Sequence, residues 1–425
     1  MPFDSSPRPR IAVIGAGISG LSAAYHLAPQ HNVTLFEAED RLGGHARTMM
    51  AGPNRDQPVD TGFIVFNEPN YPQMNRMFAD LNVPVKDSDM SFAVSIDKGR
   101  VEYGTHSLRA FAAQKLNLLR PAYWRMIRDI LRFNKIAATD DIDPDMPLGR
   151  YLDQLDLGQW FRDYYLLPMS GAIWSSTPDQ MADYPARALV NFFKNHALLQ
   201  WDTFQWKTVD GGSIEYVRRI GAAIEKAGGT IKTSSPIKKV IRSPFGVALL
   251  VNGEVEHFDQ VVFACHSDTA LRLLEHPTSD EKAVLGAIRY QSNIAVLHRD
   301  KSQMPKRREA WSSWVYVADQ ATPTPSIAIT YWMNSLQGIT SDEPIFVSLN
   351  PAKPIPEHLI YDQKEFWHPV FDQAALKAQA ALPLLQGVNG TWFCGAWSGN
   401  GFHEDGFASG AAVASQMMSQ RIAAQ

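Results

Sequence analysis

The chain opens its ordered pattern with an unbroken apolar run at residues 11–14, flanked by Arg10 and Gly15. A run that short, bounded by glycine, predicts a buried parallel strand. From 22 to 27 the pattern turns alanine-rich and helical, and Pro29 marks the stop. A second apolar strand at 33–36 ends on Glu37. Farther on, 105–204 reads as largely helical, interrupted at "DIDPDMPLG", and holds a dense set of aromatics that includes Tyr123, Trp124, Trp174, Phe192, Phe193 and Trp201. A helix from Ser213 is ended by the glycine pair at 228–229. Short strands follow, with turns at 244–246 and 252–253, and "QVVFAC" reads as a buried strand. "WSSWVYV" and "IAITYWMN" alternate as strands do, and a last strand at 391–394 leads through a glycine loop into a long alanine-rich helix.

The first unit carries chemistry. Gly15, Gly17 and Gly20 give G-x-G-x-x-G between a strand and a helix, and Glu37 stands about 20 positions on, as a dinucleotide fold requires. Gly15 permits the tight turn, Gly17 lets the backbone approach a pyrophosphate, and Gly20 lets the helix pack on the strand. The free N–H groups of the first helical turn, around Ile18 and Ser19, face the phosphates with the positive dipole end. Glu37, followed by Ala38, can accept hydrogen bonds from an adenosine ribose. No second such pattern follows a strand, so a separate nicotinamide site is not expected.

Composition changes this picture little. The 425 residues carry a net charge of −4, which gives no global pull toward nucleic acid. Two cysteines, Cys265 and Cys394, argue against a disulfide framework and fit a reducing, cytoplasmic compartment. The first ten residues hold no apolar leader, the first nine read as a loose tail, and no window approaches ~18 uncharged apolar residues. No metal-ligand spacing is evident. One stretch is locally basic: residues 118–136 read as an amphipathic helix. Arg125, Arg128, Arg132 and Lys135 form one stripe, and Trp124, Ile127, Leu131 and Asn134 another. Such a helix suits either peripheral contact with an anionic membrane or a solvated face over a buried apolar stripe.

"VIGAGISGL", "EAEDRLGGHART" and "VDTGF" together resemble the flavin-containing amine oxidoreductase superfamily, which includes monoamine oxidases, phytoene desaturases and protoporphyrinogen oxidases. The resemblance implies non-covalent FAD and an α/β fold, in which a Rossmann-type FAD-binding domain (1–75, 205–275, 385–425) interleaves with an α+β substrate domain (76–204, 276–384). It places Gly43 and Gly44 beside the diphosphate and Asp60, Gly62, Phe63 and Ile64 along the isoalloxazine. Val240 would meet adenine through its backbone. Gly395, Phe402, Glu404 and Asp405 would bring a helix N-terminus to the flavin edge, with Gly401 and Gly406 allowing close approach. Family arginines are replaced by Glu39 and His45, so Arg41 and Arg47 are candidates to compensate. His45 itself reads either as an imidazolium drawn to the diphosphate or as a neutral ring bonded to a loop carbonyl.

Ala295 stands where amine oxidases carry a lysine, and Phe402 where they carry a cage tyrosine, which weakens amine oxidation and suits an apolar substrate. "DTGFIVFNEPNYP", "PMSGAIWSS", "FWHPVF" and "GNGFHEDG" are similar to a bacterial group of predicted NAD/FAD-binding proteins. Genes of that group accompany methyltransferases similar to cyclopropane fatty acid synthase. That resemblance implies a fatty acyl desaturase of the furan fatty acid type, acting on a methylated or unsaturated chain, free or in phospholipid, with O2 or a quinone as electron acceptor and a methyltransferase as partner. Amine oxidation, carotenoid-type desaturation or isomerisation, and a non-redox flavin-containing lipid-binding protein are the alternatives. His403, Glu404, His368 and His196 are the candidate catalytic bases.

Overall fold

A computed structural model describes residues 8–423 except 175, 197, 200–203 and 320–326. Trp201 and most of the N-terminal tail therefore lie outside the described residues. The apolar strand Arg10–Ile14 is the centre of a five-stranded parallel sheet. Asn32–Phe36 and Thr230–Lys232 flank it on one side, Gln260–Phe263 and Thr391–Phe393 on the other. Its residues are buried on both faces, which is why the strands read as continuous apolar runs. Helix Ile18–Leu27 follows the glycines and packs along the C-terminal helix His403–Ala423. The approach is close because Gly410 lies there: a methyl group on it would stand 2.3 Å from the carbonyl oxygen of Ser19. A three-stranded antiparallel meander, Ile237–Ser243, Gly246–Val251 and Glu254–Phe258, covers the other face.

The second body is a seven-stranded mixed sheet. Its order is Ile360–Val370, Arg289–His298, Phe346–Leu349, Ala328–Trp332, Trp314–Ala318, Phe92–Ile96, Val101–Gly104. Helices from the 105–196 stretch pack on it, and one continuous core joins them. Helix Pro72–Asp80 buries Met74, Met77 and Phe78 in the core of the dinucleotide-binding side, and strand Val85–Ser88 pairs with Trp206–Val209. The helix straddles the boundary expected at residue 75, and the strand after it pairs with a strand from the expected FAD-binding segment.

Helix Pro121–Ala137 forms as its spacing predicts, with Pro121 in its first turn. Its inward stripe differs from the expected one. Tyr123, Met126, Asp129, Phe133 and Ala137 are buried, whereas Trp124 and Leu131 are exposed. Tyrosine and phenylalanine, one helical position off the Trp124 stripe, offer the larger area to the core, so the helix is rotated toward them.

Candidate active site

Two glycine loops meet at the C-terminal edge of the parallel sheet. Gly15 has φ +100°, a conformation that L side chains rarely adopt, and a methyl on Gly20 would lie 1.8 Å from the Gly15 oxygen. Gly17 is the opposite case: a methyl there would meet nothing within 4 Å. It also caps helix Ile18–Leu27 without any side-chain bond to the first-turn N–H groups of Ile18, Ser19 and Gly20. Gly43 donates to the Ala16 oxygen at 2.8 Å, and Gly17 and Gly43 form a parallel bridge. Gly44, at φ +56°, lies close against Gly17. Glu37 fixes the rim, accepting from the N–H of Ala16 at 2.7 Å and of Glu39 at 2.9 Å, with Ala38 exposed beside it. The result is an open cradle of free N–H groups with a carboxylate at one end.

The rest of the second loop is clamped by alternate residues of strand Ile360–Val370. Asp362 pairs with Arg47 through two hydrogen bonds, and Lys364 reaches Glu39 at 2.6 Å. Phe366 and His368 stand 4.8 and 5.4 Å from the His45 ring. Period two puts all four on one face of the strand. Arg41 pairs with Glu39 at 3.0 Å and donates to the carbonyls of Gly44 and Ala46. Arg41 and Arg47 are thus both tied to acidic partners within the protein. Burial, then the neighbours His368, His266 and His403, hold the pKa of His45 well below the ordinary value, so the protein's own groups favour the neutral ring.

Gly62 packs where a methyl would be 2.1 Å from the His45 oxygen, and Phe63 donates its N–H to that oxygen. Phe63 stacks on His403 at 3.9 Å, and Ile64 is buried next to it in sequence. Asp60 is placed differently from its neighbours. It is fully buried and accepts from Thr48, from Ser213 through N–H and hydroxyl, and from Gln337. Burial raises its pKa to about 6, and it acts as an internal knot, not as a wall. Asp405 accepts the N–H of Phe402 at 2.9 Å at the start of the C-terminal helix. Gly395 donates to Ser409 of that helix at 3.0 Å. The Val240 oxygen accepts from Glu275 at 3.0 Å, so half of its backbone is already engaged.

The four candidate bases separate by their hydrogen bonds. Glu404 accepts the N–H groups of Gln73 and Met74 at 2.9 and 3.0 Å and is spent as the cap of helix Pro72–Asp80. His403 bonds the Tyr216 hydroxyl at 3.0 Å, and burial lowers its pKa to about 3. His368 has a fixed tautomer. The Ile294 N–H donates to Asn350 Oδ1, so Asn350 Nδ2 must donate to Asn293 Oδ1, and Asn293 Nδ2 must donate to His368 Nδ1. The His368 proton therefore sits on Nε2, and burial lowers its pKa to about 4. His196 is the reverse case. Its Nδ1 lies 2.9 Å from the Phe192 carbonyl, which only accepts, so Nδ1 carries the proton and Nε2 a lone pair. Burial lowers its pKa too.

Sequence reasoning named Phe402 but missed what it faces. Phe402 stacks on Phe192 at 5.1 Å; Trp174 lies 4.7 Å from Phe192 and 5.0 Å from Tyr184; His196 stacks on Phe192 at 3.8 Å. This aromatic group sits directly before the N-terminus of the C-terminal helix and contains no charged side chain. Trp174 Nε1 is buried there without a partner. Ala295 is buried in the same core. Trp174, Tyr184, Phe192 and His196 come from one aromatic-rich stretch legible in the sequence, but Phe402 lies about two hundred residues on, so no local spacing signals that it joins them.

Comparison with known proteins decides the family. Residues 18–313 match the family described as flavin containing amine oxidoreductase. The chain belongs to that family. It is 27% identical over 305 residues to the 15-cis-phytoene desaturase of Arabidopsis thaliana, covering 65% of this chain and 51% of that protein. It is 28% identical over 188 residues to protoporphyrinogen oxidase 2 of the same plant, covering 41% of this chain and 34% of the other. The chain thus spans about half or less of the length of these relatives. Among solved structures, putrescine oxidase bound to putrescine superposes with a TM-score of 0.69 at 14% identity, covering 97% of this chain and 99% of the other. The CLA-producing fatty acid isomerase from P. acnes superposes at 0.70 and 15%, covering 96% and 98%. At such identities these two show the α/β fold alone.

FAD is the cofactor of this flavin-containing oxidoreductase family. The residues fit the group. Gly17 leaves open the space that a diphosphate needs, the uncapped N–H groups of residues 18–20 supply its donors, and Glu37 stands ready for ribose hydroxyls. Gly43, Gly44 and His45 would flank the middle of the cofactor. Gly62, Phe63 and the start of helix His403–Ala423 would receive its ring end. Among the described residues no cluster suits a metal ion, and no helix is long and apolar enough to cross a membrane.

Proposed function

We propose that this flavoprotein oxidises an apolar acyl chain, removing hydrogen from adjacent carbons of a methylated or unsaturated fatty acyl group to form a new double bond. The observation that carries the reading is the aromatic group Phe402–Phe192–Trp174–Tyr184, uncharged throughout and seated before the helix N-terminus that the flavin ring end would meet. The resemblance to amine oxidases places Ala295 and Phe402 where a lysine and a cage tyrosine would stand, which weakens the amine reading, and the group holds no carboxylate to pair with a protonated amine. FAD, when bound, supplies the hydride acceptor and returns its electrons to O2 or a quinone. The chain's own residues bind and orient the acyl group, exclude water, and take the second hydrogen as a proton. His196 is the base of choice, because its Nδ1 proton is held by the Phe192 carbonyl, which leaves on Nε2 a lone pair with no partner among the described residues. The unpaired Trp174 Nε1–H provides a donor for an ester or carboxyl oxygen.

The test is anaerobic. The FAD-loaded protein is mixed with methylated unsaturated phospholipid in detergent, with the corresponding free acid, and with putrescine. Bleaching of the oxidised flavin band by an acyl compound supports the reading. Bleaching by the amine alone overturns it. A double bond that moves with no bleaching and no acceptor consumed points to isomerisation. Lipid analysis of a host with and without a neighbouring methyltransferase extends the test to a methyltransferase partner.

A further inference from the structure

Residues 103–139 hold seven lysines and arginines (Arg109, Lys115, Arg120, Arg125, Arg128, Arg132, Lys135) against the single acid Asp129, a local charge of +6 in a chain of net −4. Asp129 is turned inward, accepts the N–H of Gly158 and lies 3.7 Å from the guanidinium groups of both Arg125 and Arg128, so Arg109, Lys115, Arg120, Arg132 and Lys135 are the cations it leaves to the outer surface. The same segment breaks the usual rule for apolar residues. Leu108 is 90% exposed, Leu119 79%, Leu116 60% and Trp124 55%. These belong to one knob. Tyr123 donates its hydroxyl to the Phe111 oxygen, tying helix Pro121–Ala137 to helix Leu108–Phe111. Trp124 Nε1 donates to the Leu118 oxygen, tying it to the 3-10 turn Lys115–Leu119. Beside Leu108 opens a cleft of about 400 Å³ lined by Arg109, Arg308, Trp311 and Trp332 among others. The Arg308 guanidinium lies 3.7 Å and 4.6 Å from the centroids of the two tryptophan rings.

Leucines left in water within a ring of cations match one surface above others: a layer of anionic phosphates over hydrocarbon. A polyanion would satisfy the cations and leave the leucines wet. We infer that residues 105–132 form a docking face for an anionic phospholipid bilayer, with Leu108, Leu116, Leu119 and Trp124 entering the interfacial region and the surrounding cations, with Arg308 in its cleft, meeting headgroup phosphates. This goes beyond the acyl-chain reading and stands without it.

The experiment is vesicle flotation of the FAD-loaded protein at low and physiological salt, with phosphatidylcholine vesicles and with mixed phosphatidylcholine–phosphatidylglycerol vesicles. The wild type is expected to float with the anionic vesicles and far less with the neutral ones. The variant Leu108→Ser/Leu116→Ser/Leu119→Ser is expected to lose about tenfold or more in binding, and Lys115→Glu/Arg132→Glu a similar amount with a weaker salt dependence. Both keep the melting temperature and flavin spectrum of the wild type, because the changed side chains are largely exposed. Equal flotation of the leucine variant and wild type overturns the inference. So does wild-type binding to duplex DNA or polyglutamate as tight as binding to vesicles. Bleaching by detergent-solubilised acyl substrate, equal in wild type and leucine variant, separates the fate of this face from that of the proposed reaction.

Discussion

At Gly17 and Gly20, three residues apart, the same substitution has different meanings. A methyl on Gly20 collides with the Gly15 carbonyl, so Gly20→Ala disrupts the packing of helix on strand. A methyl on Gly17 meets nothing and the residue has φ −69°, so Gly17→Ala folds with unchanged melting temperature. Its methyl nevertheless occupies the approach to the helix N-terminus, and FAD affinity is expected to fall on the order of tenfold or more, a loss of about 1.4 kcal/mol or greater. Fluorescence titration of apoprotein measures it; wild-type affinity in Gly17→Ala rejects the cradle. His368 gives a second prediction at this scale. In protein carrying 15N-labelled histidine, its Nε2 is protonated at neutral pH and its Nδ1 is not. Asn293→Asp supplies an acceptor in place of a donor, moves the proton to Nδ1 and raises the pKa. A wild-type Nδ1–H signal contradicts the Asn350–Asn293–His368 chain.

At the scale of elements, the C-terminal helix serves two others. Its Gly410 lets helix Ile18–Leu27 come close, and its Glu404 caps helix Pro72–Asp80. Glu404→Ala is expected to destabilise by about 1–2 kcal/mol, as lost N-terminal caps do, with Glu404→Gln losing less. Calorimetric melting reads this. A Glu404→Ala protein of full stability that has lost turnover restores Glu404 as a catalytic group. The helix Pro121–Ala137 teaches a related point. Its existence and length follow from local spacing, but two apolar stripes compete for the core, and only the wall it meets decides between them.

For the whole molecule, burial governs response to acid. His45, His196, His266, His298, His368 and His403 all have lowered pKa values, to about 4 for His298 and His368 and about 3 for His403. The unfolded chain, with histidines near 6.5, binds protons that the folded one refuses, so this stability is present above pH 6.5 and is lost as pH falls toward 4. Asp60, raised to about 6, works the other way, since its folded form holds a proton that the unfolded carboxylate releases between about pH 4 and 6. Six histidines outweigh it. The melting temperature should fall from pH 7 to pH 5, with unfolding at pH 5 taking up more than one proton. A flat profile over that range contradicts neutral burial of the histidines.

The sequence by itself determined the dinucleotide-binding unit, because strand, glycines, helix and acid are adjacent and each is imposed by local backbone geometry. It determined the meander, the last strand and the long C-terminal helix for the same reason. It did not determine which charges are free. Glu39 and Lys364, Arg47 and Asp362, and His45 and His368 are more than 300 residues apart, and their pairing depends on one face of strand Ile360–Val370 lying over the second glycine loop. It named His196, Glu404, His403 and His368 as equals. Partners brought in by the tertiary fold made Glu404 a cap and His368 a fixed donor, whereas the His196 tautomer is set by a carbonyl four residues back in its own helix. Spacing along a chain fixes what each residue can do with its neighbours in sequence; burial and long-range partners fix which proton it holds.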